Sequence, residues 1–305
     1  MAGGRRRSVV YLLFGLAVFA VGAYLFLSPM VTVYIAQQEA DAAIAGAFEQ
    51  AGAEPPGSDG EDEAAAKAPK EGDAAYEYLL AYNETVRSGQ AGGINDPWTT
   101  GAKTQDLSSL GLSDGVMGSV DIPALHETMP LYYGASEEHM LYGACIISGT
   151  SAPLGQTDSN CVLAAHRGMA SGQAMFRDIE DLRAGDVVTI DTPWDTLVYR
   201  VAEIQVIDPT DADALKVKPG RDLVTLFTCH PYGFNYQRYL VICERSFEQP
   251  PARAQVAGPA YALEQALMPC ESRNLVVERW ARVAGFALML IALTSTVRAI
   301  IALRR

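Results

Sequence analysis

No two of the five cysteines are spaced C-x-x-C, and the four histidines stand singly, so the chain lacks the ligand grouping of a structural zinc site. It also lacks a positive charge balance, with 23 Lys and Arg against 36 Asp and Glu. The formal net charge is -13 at pH 7, and every one of the 36 Asp and Glu residues lies between Glu39 and Glu278. A field of that sign repels phosphate backbones, which excludes nucleic acid as a partner. Residues 51–73 (AGAEPPGSDGEDEAAAKAPKEGD) lack any aromatic or large aliphatic anchor. Such a segment cannot bury enough apolar area to offset the entropy of ordering, and it reads as a disordered loop. The cysteines also lack an even count: among Cys145, Cys161, Cys229, Cys243 and Cys270, at least one thiol stays unpaired even outside the cell.

What is present begins with two apolar runs. Val9–Leu27 is uncharged and follows Arg5, Arg6 and Arg7. Its nineteen residues suffice for a membrane-spanning helix, and no small-x-small cleavage site directly follows it. Val283–Val297 is shorter, but Arg298 can snorkel while Ile300–Leu303 complete a second span. Basic residues at both ends of the chain place both termini in the cytoplasm, with the acidic segment between the spans outside. The expected organisation is a cytoplasmic tail and first span at 1–30, extracellular helices and loops at 31–114, a catalytic domain at 115–248, a connector at 249–280, and a second span with a basic tail at 281–305.

Within 31–114, Tyr34–Gln50 and Ala74–Arg87 read as helices, and residues 88–111 as a loop containing Asp96-Pro97-Trp98. From Gly115 onward, short β-branched and aromatic runs alternate with Gly, Pro and Asp. Gly118–Ile122, Val162–Ala165, Val187–Asp191, Thr196–Asp208, Leu223–Thr228 and Tyr239–Glu244 read as strands, which gives a mainly β barrel or sandwich. Leu141–Ile146 and Ala174–Leu182 read as helical turns, and Ala260–Leu267 as an Ala-rich helix.

Two strand ends concentrate reactive groups. The run Val162-Leu163-Ala164-Ala165 ends in His166, and the run Thr225-Leu226-Phe227-Thr228 ends in Cys229, followed by a Pro/Gly loop that returns to Arg238. A thiol attacks a carbonyl as thiolate, so it needs cationic neighbours. His166 supplies one and is an acid for a leaving amine. Arg238 offers fixed donors and permanent charge for a developing oxyanion, with Thr228 a further candidate donor. Strand parity turns Cys243 away from Arg238. Cys145 and Cys161 flank a compact loop that suits either a disulfide or two buried thiols. His126, His139 and His230 read as surface residues.

The segment Thr225-Leu226-Phe227-Thr228-Cys229 resembles the T-L-x-T-C signature of sortases. Its continuation through Pro231, Gly233 and Arg238 is similar to the C-x-P-x-G…R pattern of the class C, pilus-building members. His166-Arg167-Gly168 with Phe176-Arg177-Asp178-Ile179 resembles the family's histidine strand and the helix after it. Gly118–Pro123 and Leu131–Gly134 look like its early strands. The resemblance implies an eight-stranded β-barrel with Cys229 as nucleophile, His166 as acid/base partner and Arg238 as transition-state stabiliser, and with no metal or organic cofactor. It implies cleavage of L-P-x-T-G-type sorting signals between Thr and Gly. Transfer would go to a pilin lysine, or alternatively to peptidoglycan. Asp96-Pro97-Trp98 is similar to the class C lid, which implies an Asp96–Arg238 pair and a Trp98 ring covering Cys229. A non-catalytic membrane-tethered scaffold is the reading from a different class.

Overall fold

In the computed structural model, residues 2–56, 67–68, 70–100, 108–112, 115–168, 173–253, 267, 270 and 272–304 are described. They form two compact units, one of Met1–Ile35 with Ala257–Arg305 and one of Ala36–Val256. The first unit holds the start of helix α1 (Ala2–Gln50) and the C-terminal apolar helix. Among the described residues, the C-terminal helix carries the one stretch long and apolar enough to cross a bilayer, Arg273–Arg298, with mean hydropathy 1.6. The apolar stretch in α1 is shorter, Leu12–Tyr24. The two helices touch closely. A Cβ on Gly15 would lie 2.8 Å from Thr296 Oγ1, so a side chain there would push them apart.

The second unit is built around a closed barrel. Its elements run from α2 (Ala74–Arg87) and the single turn α3 (Pro97–Thr100) to strands β1 (Val116–Ile122) and β2 (Glu127–Tyr133). Helix α4 (Glu137–Tyr142), β3 (Ala144–Ile146), β4 (Ser159–Ala164), β5 (Val187–Asp191), β6 (Thr196–Ile207), β7 (Asp222–His230) and β8 (Gln237–Ser246) follow. The C-terminal helix of the first unit is α5 (Arg273–Arg304). Strand order around the barrel is β1-β2-β3-β4-β7-β8-β6-β5. Closure leaves no edge strand open to pairing with another chain. The contact between β4 and β7 is parallel, which brings together two strand ends far apart in sequence.

Helix α2 starts where the Asp73 carboxylate accepts from the Tyr76 amide at 2.8 Å, a standard N-cap. It is held to the barrel by Asn83, whose side-chain amide donates to the Ala152 carbonyl at 3.0 Å and accepts from the Ala152 N–H at 2.7 Å. The helix expected at Tyr34–Gln50 is the last part of α1, which runs unbroken to Gln50.

The six expected strands are present, and β2 and β3 join them. Strand β2 is obscured in the sequence because Pro130 interrupts it. Pro130 is tolerated because pairing with β3 begins only at Leu131, so its missing N–H costs no bond on that side. The turn expected over Leu141–Ile146 is instead the end of α4 followed by β3, whose three residues are too few to show a period. The loop expected at 51–73 is docked at its described ends. Ala53 and Ala68 are buried, the Ala68 N–H donates to the Pro193 carbonyl at 2.8 Å, and Lys67 Nζ lies 2.9 Å from Thr196 Oγ1. Residues 57–66 and most of the Ala260–Leu267 segment lie outside the described residues.

Alternation along the strands separates two apolar clusters. Val120, Leu131, Leu163, Leu226 and Val241 belong to the large inner core, together with Cys161 and Cys243. Val162, Ala164, Phe227 and Leu240 face the other way and form a second cluster, against which Ile94 and Trp98 of the 88–111 loop pack. The site lies on that second face.

Candidate active site

The register places three side chains in one row. Cys229 on β7 pairs directly with Arg238 on β8. In the parallel β4–β7 ladder, Ala164 pairs with Phe227. Two residues further along the same register, His166 falls beside Cys229. Period-two alternation keeps His166 on the face of Ala164, Cys229 on that of Phe227, and Arg238 on that of Leu240. A thiol, an imidazole and a guanidinium thus stand side by side at three neighbouring strand ends.

Thr228 has the opposite parity and is not in this row. Its hydroxyl, fully buried, donates to the Ala165 carbonyl at 2.6 Å. Its proton is therefore spent inside the barrel, which corrects the expectation that this hydroxyl supports a substrate oxyanion. It fixes the backbone just before His166 instead.

Arg238 is held by Asp96. The guanidinium Nε donates to Asp96 Oδ2 at 2.6 Å, with the two side chains 3% and 6% exposed. Arg238 Nη1 also donates to the carbonyls of Asn235 and Gln237, at 3.1 and 2.9 Å. The other Asp96 oxygen accepts the Trp98 N–H at 2.8 Å, which starts the α3 turn. The same carboxylate therefore grips the arginine and shapes the loop that carries it.

The Trp98 ring fills the space above the row. Its centroid lies 5.6 Å from that of Phe227 and 5.9 Å from that of His166, and the Arg238 guanidinium stands 5.3 Å over it. The indole Nε1–H points at His166 Nδ1, 3.4 Å away. An acceptor at Nδ1 is an unprotonated nitrogen, so this contact suits neutral imidazole with its proton on Nε2. The loop's backbone rests against Gly149, which has φ +87° and whose added Cβ would meet the Gly93 carbonyl at 2.9 Å. Only glycine fits there, on both counts.

Electrostatics follow from this cover. Burial is the main force on the Cys229 thiol and pushes its pKa up to about 11. Arg238 pulls it down, Asp96 pushes it up, and Arg167 pulls it down. Burial also lowers the pKa of His166. Both shifts favour the uncharged forms, thiol and neutral imidazole.

All five cysteines are free, so Cys145 and Cys161 are two buried thiols. Cys243 is buried in the inner core, away from the row. His230 is 5% exposed and corrects the surface reading, because its position one residue past Cys229 turns it inward. His126 and His139 are half-buried, and His139 stacks on Tyr132 with ring centroids 4.7 Å apart. No group of three or more His, Cys, Asp or Glu suited to a metal ion occurs among the described residues.

A model of the sortase domain matches residues 120–246. The crystal structure of Streptococcus agalactiae sortase C1 is similar with TM-score 0.53 and 30% identity, covering 58% of this chain and 90% of that one. Sortase C from Clostridium perfringens, solved with the C-terminal cell wall sorting motif, gives TM-score 0.53 and 31% identity, covering 68% and 99%. Sortase A of Bacillus anthracis is 27% identical over 126 residues, 41% of this chain and 58% of that protein. The chain spans about half the length of the curated relatives it matches. The shared barrel, matched along nearly the full length of two solved sortase C chains, shows that this chain belongs to the sortase family of cysteine transpeptidases.

Proposed function

We propose that this chain is a class C sortase that cleaves an LPXTG-like sorting signal through a Cys229 thioester and passes the acyl group to a pilin lysine. The observation that carries this reading is the single row formed by Cys229 on β7, Arg238 on β8 and His166 two residues past the end of β4. Its likeness to solved sortase C structures adds to it, one of them holding a C-terminal cell wall sorting motif.

The steps follow from the groups in place. Once the segment carrying Asp96 and Trp98 lifts, Cys229 regains water and the Arg238 field, and its proton passes to His166. The thiolate attacks the carbonyl between Thr and Gly of the signal. Arg238, freed from Asp96, donates to the oxyanion. His166 then returns the proton to the departing amine, leaving a thioester. A lysine amine attacks that thioester, restores the Cys229 thiol and forms an isopeptide bond. Water is the competing acceptor, so a covered resting state limits waste.

The reading extends to location. Helix α5 serves as one membrane span and Leu12–Tyr24, extended by its apolar neighbours, as the other. The barrel then lies outside the cell with both termini in the cytoplasm. Attachment of proteins to peptidoglycan is the second reading, and the Asp96–Arg238 contact supports the first, because the resemblance to the pilus-building class implies that pair.

The acceptor decides between them. Full-length protein in detergent, given a sorting-signal peptide with equal amounts of a lysine-bearing pilin peptide and a peptidoglycan stem-peptide amine, is expected to form the lysine conjugate in large excess. Preferential transfer to the stem-peptide amine would contradict pilus building while leaving transpeptidation intact.

A further inference from the structure

The row beside Cys229 and His166 is also filled with ionisable groups, and the steps above do not use them. Arg167 follows His166 and His230 follows Cys229, so the parallel register that joins the first pair joins the second. Strand parity turns both to the opposite side from the reactive groups. There Arg167 Nη1 donates to Glu180 Oε1 at 2.8 Å, and both side chains are 2% exposed. Arg167 Nε and Nη2 donate to the Arg177 carbonyl at 3.3 and 3.1 Å. His230 Nδ1 lies 3.4 Å from the same Glu180 oxygen and 3.5 Å from Arg167 Nη1. The guanidinium stands 5.6 Å over the Tyr232 ring, and the His230 ring packs 5.2 Å from that of Tyr239.

This cluster bridges segments that are far apart in sequence. It links the chain leaving β4, the helical turn Ile179–Asp181 and the end of β7. The segment before that turn is pinned as well, since the Phe176 N–H donates to the His166 carbonyl at 3.2 Å. A buried ion pair is geometrically demanding, because each charge needs its partner in place. That demand fixes where His166 stands relative to Cys229.

We propose that Arg167 and Glu180 are positioning residues of this site: their buried ion pair locks the His166 segment to the strand that carries Cys229, and Glu180 moderates the positive field that Arg167 exerts there. The inference rests on Cys229 being the reactive thiol, but its test needs no turnover. The charged groups that act on Cys229 are Arg238 and Asp96 from the covering side and Arg167 from beneath. Glu180 is the charge paired with Arg167, and its own negative field opposes the thiolate.

The two charges therefore have opposite effects. Glu180→Gln leaves Arg167 uncompensated and favours the thiolate. Arg167→Met removes the attraction and leaves Glu180 to oppose ionisation. The experiment is the rate at which iodoacetamide labels Cys229 at pH 9 in the full chain in detergent, followed by peptide mapping. E180Q is expected to label about threefold or more faster than wild type, and R167M slower by a similar factor. Simple loosening of the fold would speed both variants, and no change in either would equally overturn the proposal. Should R167M fail to accumulate, R167M/E180Q leaves no lone charge buried and serves instead. It differs from E180Q only by the Arg167 charge, so it must label more slowly than E180Q, and equal or faster labelling would overturn the proposal. If these rates behave as expected while no variant transfers a peptide, the positioning role stands and the proposed reaction falls.

Discussion

Replacing Asp96 and Trp98 together by alanine is expected to raise the rate of Cys229 alkylation at pH 8 by at least about tenfold, and to raise hydrolysis of a sorting peptide with it. The size follows from what the loop does to the thiol. With a pKa pushed up to about 11, only about one Cys229 in a thousand is thiolate at pH 8. At the ordinary value of roughly 8.5 the fraction would be about a quarter, so full exposure would gain more than a hundredfold. Part of the burial comes from the strands themselves and remains, which is why the expected gain is smaller. The sign is fixed by three changes in one direction: water returns, the Asp96 carboxylate that opposes ionisation leaves, and Arg238 is released to favour it. Trp98 no longer holds His166 through Nδ1, so the imidazole regains access to its protonated form. In pH terms, the inflection in the labelling rate moves down from about 11 in the wild type. An inflection that stayed in place, with unchanged hydrolysis, would remove the covering role from this loop. The cost of opening is moderated because Arg238 and Asp96 both become solvated when the loop lifts, so no charge is left buried alone.

Arg238→Gln is expected to lower peptide cleavage by about a hundred- to a thousandfold, the usual loss when a preorganised oxyanion donor is removed. Its position opposite Cys229 and its anchoring to the Asn235 and Gln237 carbonyls hold the guanidinium fixed before substrate arrives. Arg238→Lys keeps the charge but cannot reproduce the planar fork, so it should recover only a minor part of the rate. The same substitution also frees Asp96 and loosens the loop. A mixed result is therefore informative: Arg238→Gln opens access to the thiol but removes the charge that favours its thiolate, so alkylation should change far less than cleavage, which should fail. Cleavage within a few-fold of wild type would move the oxyanion donor elsewhere in the site.

Much of this arrangement is legible in the chain itself, for identifiable reasons. Strands β5 and β7 carry runs of β-branched and apolar residues bounded by Gly and Asp, so their extents are clear from the residue pattern. The row of His166, Cys229 and Arg238 is legible as two strand ends and a short return loop, although only the register shows that they stand side by side. Helix α2 begins at an Asp whose carboxylate suits an N-cap, and its start is equally clear. Where the pattern misleads, a long-range contact overrides a local signal. Pro130 looks like a breaker, yet it falls just short of the β3 pairing and is harmless. His230 beside a solvated Pro/Gly loop looks exposed, yet parity turns it onto Glu180. Thr228 beside the nucleophile looks like a donor to substrate, yet the same alternation points it at Ala165. The last two share one cause: adjacency along a strand means opposite faces. Alternation along β7 is the signal that separates both residues from Cys229.

The most direct test of the central claim is mass spectrometry of the full chain in detergent, quenched in acid after mixing with a sorting-signal peptide. The account predicts a mass increase equal to the peptide up to and including its Thr, on the Cys229 peptide alone, increased in the Asp96→Ala/Trp98→Ala variant and lost in Cys229→Ala. An adduct on another cysteine, or cleavage that persists in Cys229→Ala, would contradict it.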